Sequence, residues 1–120
     1  MRREDGAPIP RTALWSAGEG GFHTYRIPSL VAAGVGTLLA FCEGRRTSSN
    51  DMGDIALLER RSTDGGRTWE ESRVVWEDPG NTCGNPCPVA DSATGVVRLL
   101  ATWNLGGDDE RAIVEGTSRD

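Results

Sequence analysis

The stretch STDGGRTW, residues 62–69, separates the runs DIALLERR and TWEESRVVW. Asp64 is suited to accept hydrogen bonds from backbone N–H groups across a turn. Gly65 and Gly66 supply backbone angles closed to other residues. Thr68 fits the start of a strand, and Trp69 can cover the turn with apolar area. Every position has a structural task, and none is a nucleophile or a base. The octapeptide reads as a hairpin turn between antiparallel strands.

Outward from that turn the same grammar recurs. The runs RIPSLVAA, TLLAFCE, DIALLERR, TWEESRVVW, PCPVAD, VVRLLATWN and AIVEGTS are short and rich in Val, Ile, Leu, Thr and Trp. Gly, Asp and Asn punctuate them in GVG, GRRTSSNDMG, EDPGNTCGN, SATG and LGGDDER. No segment keeps a capped 3.6-residue apolar period. The spacing predicts an all-β antiparallel meander, as a sandwich, barrel or propeller. Residues 1–14 read as a flexible lead-in and residues 15–120 as one domain.

A meander requires successive loops to alternate between the two ends of the sheet. With Arg26 at the top, the first strand descends to GVG and the second climbs to Glu43–Arg46. The loop at 44–53 is then on top, STDGGR at the bottom, GNTCGN on top, SATG at the bottom and LGGDDER on top. Parity therefore gathers Arg26, Arg45, Asp51 and Asn85 at one edge and sends the octapeptide to the other.

Bulk properties narrow the partners. The 120 residues are about the size of one small domain. The net charge is −5 with no basic run, which argues against a nucleic-acid partner. No stretch approaches the ~18 apolar residues of a membrane span. MRREDGAPIPRT lacks the apolar core of a secretory signal. Three cysteines, Cys42, Cys83 and Cys87, are an odd number for a paired disulfide framework. Cys42, inside TLLAFC, reads as a small buried hydrophobe. The single histidine, His23, lies far from Cys83-x3-Cys87, so neither a metal nor a cofactor is expected.

The predicted top edge carries the chemistry. Arg26 and Arg45 offer planar, permanently charged forks suited to a carboxylate or phosphate. Glu43 stands beside Arg45 and Arg46 and can hold an arginine in place. Asp51 and Asp54 flank Gly53; either can serve as a general acid in a suitable environment, or simply shape the loop. His23 has no nucleophile partner and reads as a packing or surface residue. GEGG at 18–21 lacks the Lys-Ser/Thr of a phosphate loop.

STDGGRTW also fits S-x-D-x-G-x-T-W, with Ser62, Asp64, Gly66, Thr68 and Trp69 at the motif positions, and so resembles the Asp-box of sialidases and other propeller proteins. YRIPSL at 25–30 is similar to the motif that opens sialidase catalytic domains. EGR at 43–45, the aspartate loop TSSNDMGD and GNPCPVAD at 84–91 follow in the family's order. The resemblance covers about residues 20–120 and implies the first one to two blades of a six-bladed β-propeller without a catalytic metal. It implies that Arg26 grips the carboxylate of sialic acid, that Arg45 and Glu43 line the pocket, that Asn85 contacts the sugar's substituents, and that Asp51 is the general acid/base. Asp54 then merely begins the next strand.

The implied reaction is retaining hydrolysis of a sialylated glycan through a tyrosine nucleophile. The chain departs from the family there. Its single tyrosine, Tyr25, lies in the opening motif. The nucleophile, its glutamate partner and two further arginines would come later than Asp120, as would a possible second Asp-box after EGTSRD. A chain of 120 residues cannot close a propeller, so it is expected to be inactive alone. The alternative is a non-catalytic Asp-box propeller that binds glycan or protein; an unrelated sandwich would have to match YRIP, EGR and GNPCP by chance. Hydrolase and trans-sialidase are not separable here.

Overall fold

The computed structural model describes residues 2–107 and the backbone of residues 112–119. Seven strands form: β1 (Thr24–Ala32), β2 (Leu38–Arg45), β3 (Ile55–Ser62), β4 (Arg73–Trp76), β5 (Thr82–Asp91), β6 (Val96–Asn104) and β7 (Ala112–Arg119). The ladders β1–β2, β2–β3 and β3–β4 are antiparallel, as are β5–β6 and β6–β7. One parallel pair, Ile55 with Thr82, joins β5 to β3. β5 thus returns to the inner side and packs beside β1. This is a partial β-propeller, with one four-stranded blade (β1–β4) and three strands of the next (β5–β7).

The strands obey the two-residue side-chain period. Leu39 and Phe41 of β2 pack with Val97 of the second blade. Leu57, opposite Glu43 in the ladder, packs with Cys83 and Ala101. Cys42 points the other way, with Ala56, Leu58 and Phe22. With both faces covered, TLLAFC and IALL read as continuous apolar runs, whereas β1, in register with β2 only, alternates. Burial raises the Cys42 thiol to about 12, with Glu43 adding to it, and raises Cys83 to about 11; Cys87 is exposed.

Two boundaries differ from the sequence reading by more than two residues. The fourth strand begins at Arg73, not Thr68, because Thr68 and Trp69 are spent on the turn. Thr68 donates its N–H (2.9 Å) and its hydroxyl (2.5 Å) to the Asp64 carboxylate, and Trp69 Nε1 donates to the Gly66 carbonyl at 3.2 Å. The fifth strand begins at Thr82, not Pro86, because Asn85 sits in a bulge that masks the strand pattern. In the last top loop, 108–111 lie outside the described residues.

The Asp-box turn is a closed hydrogen-bond set. Ser62 Oγ, buried, donates to Asp64 Oδ1 and accepts the Gly66 N–H, both at 2.8 Å. Gly65, at φ 74°, donates to the Gly36 carbonyl at 2.8 Å and so docks this turn on the β1–β2 turn. The Thr68 hydroxyl, then the Thr68 amide and Ser62, hold the Asp64 carboxyl down at about 2. The turn follows the end of β3 at Ser62, while Ile55 starts the strand opposite Arg45. The seven steps from Ile55 to Ser62, at about 3.3 Å each, put roughly 23 Å between those ends.

Candidate functional site

The site begins with the alternation of β2. Glu43 and Arg45, two residues apart, share the face that looks onto the second blade. Glu43 is 0% exposed and Arg45 2%. Arg45 donates Nε (3.0 Å) and Nη2 (2.8 Å) to Glu43 Oε1. Glu43 Oε2 accepts the Asn85 N–H from β5 at 2.8 Å. Gly44, between them, faces Phe22 and Leu58; an added Cβ would stand 2.7–2.8 Å from both. Only glycine fits there, so the E-G-R spelling is a packing requirement.

Arg45 spends its remaining nitrogen on the following loop. Nη1 donates to the Ser49 carbonyl at 2.7 Å and to Asp51 Oδ1 at 2.9 Å. Asp51 itself is exposed, and Arg26 approaches the same Oδ1 at 3.9 Å from β1. Arg26, Glu43, Arg45, Asp51 and Asn85 are therefore joined in one chain of contacts at the edge far from the Asp-box, where strand parity puts them. Asp54 is engaged elsewhere, 3.3 Å from Arg46, whose guanidinium also pairs with Glu77 and lies 4.8 Å over the Phe22 ring.

Two bulges aim the inner strands. In β1 the ladder slips between Arg26 and Ser29, and Ile27 takes φ 58° before Pro28. In β5 it slips between Gly84 and Cys87, and Asn85 takes φ 52° before Pro86. A β-branched residue at positive φ is a costly conformation, and such outliers concentrate where backbone is re-aimed. The Asn85 carboxamide donates to Thr102 Oγ1 at 2.9 Å, which fixes that side chain.

Sequence reasoning missed the supports of the Asp51 loop. Thr82 Oγ1 donates to the Gly53 carbonyl at 2.8 Å and accepts the Gly53 N–H at 3.1 Å. Thr82 lies in GNTCGN, read as a loop, where no local pattern marks it. His23 is exposed, as one of the expected readings had it, with Nδ1 2.6 Å from the Thr24 hydroxyl. Tyr25 donates its hydroxyl to the Glu19 carbonyl and stacks on Trp15; burial, with Cys42 and Glu19, raises its pKa. Among the described residues no cluster of His, Cys, Asp and Glu is set to hold a metal, and no helix is long and apolar enough to cross a membrane.

No family model matches the chain. Individual proteins do. An exo-alpha-sialidase of Aspergillus fumigatus is 40% identical over 90 residues, 70% of this chain and 22% of that protein. One of Arthroderma benhamiae is 44% identical over 92 residues, 72% of this chain and 22% of that protein. A sialidase of Micromonospora viridifaciens is 39% identical over 106 residues, 77% of this chain and 16% of that protein. Among solved structures, the Hadza microbial sialidase Hz136 superposes with a TM-score of 0.82 at 26% identity, over 97% of this chain and 29% of that one. The chain belongs to the sialidase family. This sialidase segment spans about a fifth of the length of the curated relatives it matches. A Trypanosoma rangeli sialidase in complex with sialic acid shares the fold, with a TM-score of 0.61 at 14% identity.

Proposed function

We propose that the whole protein is an exo-α-sialidase and that this segment supplies its general acid/base, Asp51, and one carboxylate-binding arginine, Arg26. The observation that carries the reading is the placement of Asp51. It is an exposed carboxylate held on one oxygen by buried Arg45, with the half-exposed Arg26 guanidinium beside it. Arg26 presents a charged fork at the open edge, which suits the carboxylate of a sialylated glycan. Asp51, next to that fork, protonates the departing glycosidic oxygen and later activates water. Asn85 meets the sugar's substituents. Arg45 and Glu43, both out of solvent, serve the pocket by holding Asp51 and the Asn85 backbone.

The tyrosine nucleophile, its glutamate and two more arginines that the family resemblance implies are not among these 120 residues, since Tyr25 is the single tyrosine and is engaged with Glu19. Hydrolysis is thus assigned to the whole protein, and the 120-residue chain alone should release no sialic acid. The test is Asp51→Asn in a full-length protein carrying this segment. Activity on sialosides with alkyl leaving groups should fall about 100-fold or more, the usual worth of a general acid. Aryl sialosides, whose leaving groups need little protonation, should lose far less. Equal losses on both would remove Asp51 from the role.

A further inference from the structure

From the contacts between the two blades we infer that Thr82 is a positioning residue for Asp51, resting on the assignment of Asp51 as the acid. Asp51 sits midway between two pinned points of backbone. Two residues before it, the Ser49 carbonyl accepts from Arg45 Nη1 at 2.7 Å. Two residues after it, Gly53 donates its N–H to Thr82 Oγ1, and its carbonyl accepts a hydrogen bond from the Thr82 hydroxyl. Thr82 is 0% exposed, and its own backbone is fixed by the ladder pair with Ile55. Gly53 has φ 123°, a conformation other residues avoid, with open space where a Cβ would stand. Glycine here serves the backbone geometry that brings both of its polar groups to one hydroxyl.

The chemistry of the clamp is selective. A single hydroxyl donates one bond and accepts another at the same atom. Valine has the same shape and does neither; serine does both. The clamp crosses from the second blade to the first, so the position of the acid depends on a strand that contributes no proton.

The experiment compares Thr82→Val, Thr82→Ser and Asp51→Asn in the full-length protein, on alkyl and aryl sialosides. Thr82→Val should lose about tenfold more activity on alkyl than on aryl sialosides, in the range that sub-ångström misplacement of a reacting group produces. Thr82→Ser should close that gap. Amide hydrogen exchange at Gly53 should be slow in the native protein, fast in Thr82→Val and slow again in Thr82→Ser. Equal losses on both substrates, or Thr82→Ser behaving like Thr82→Val, would overturn the inference. If Asp51→Asn shows no leaving-group gap, the assignment of the acid fails instead, and Gly53 exchange still decides whether the clamp exists. Should Thr82→Val not accumulate folded protein, an unprotected Gly53 amide in the native protein would by itself refute the clamp.

Discussion

Replacing Glu43 by glutamine changes one atom in a fully buried place. The carboxylate receives two N–H groups of Arg45 on Oε1 and the Asn85 amide on Oε2. Glutamine keeps one acceptor oxygen and turns an NH2 toward either the guanidinium or the Asn85 N–H, so donor meets donor. Counting each charged hydrogen bond separately, at about 1.5–3 kcal/mol, would overstate the loss. Arg45 still holds Asp51 and the Ser49 carbonyl, and glutamine satisfies one side. Breaking one partner of a buried ion pair costs about 3–5 kcal/mol, and the surviving contacts put Glu43→Gln near ~3 kcal/mol. Urea denaturation with linear extrapolation reads that difference. The cause is separately testable. If the cost is the stranded Arg45 charge, Glu43→Gln combined with Arg45→Met should recover part of it, because no guanidinium is then left buried without its counter-ion. A single-variant loss below about 1 kcal/mol, or a double variant no more stable than the single, would refute the reasoning.

Two further outcomes follow from local chemistry. The folded state lowers the Asp64 carboxyl to about 2, so its contribution to stability is whole above the ordinary carboxylate range near ~4 and is lost as pH falls through about 2. Asp64→Asn should flatten the stability curve in that window, and an unchanged slope would count against the turn's hydrogen-bond set. Iodoacetamide at pH 8 should label Cys87 in the folded protein and spare Cys42 and Cys83, whose thiols burial holds at about 12 and about 11. Peptide mass mapping checks this, and modified Cys42 in native protein would contradict the packing of β2.

Much of this arrangement is legible in the sequence. The octapeptide fixed a chain reversal, and counting strands from it sent Arg26, Arg45, Asp51 and Asn85 to the opposite edge. That Glu43 and Arg45 share a buried face, and that Gly44 is tight against Phe22 and Leu58, is not legible there, because both depend on neighbours from other segments. The start of β5 was not legible, because Gly80, Asn81 and Asn85 look like loop punctuation while Asn85 stands within a ladder. Thr82 could not be singled out either. A hydroxyl that grips Gly53, 29 residues away, leaves no mark on its own neighbours. Burial of Arg45 was equally hidden, since a charged residue enters the interior only when its partners are in place, and one of the groups that complete them comes from the next blade.

The doubled bulge has a consequence for how such a molecule can be rebuilt. Ile27–Pro28 and Asn85–Pro86 are the same kink in successive inner strands, yet one carries an arginine to the rim and the other offers an amide to a neighbour's carboxylate. Look-alike pieces have thus become non-interchangeable. Transplanting the first blade into another scaffold would carry Asp51, Arg26 and Arg45 along and leave behind the Asn85 amide and the Thr82 hydroxyl that keep them in order. What a grafting experiment must preserve is the seam between repeats, and the repeat itself is the wrong unit to cut.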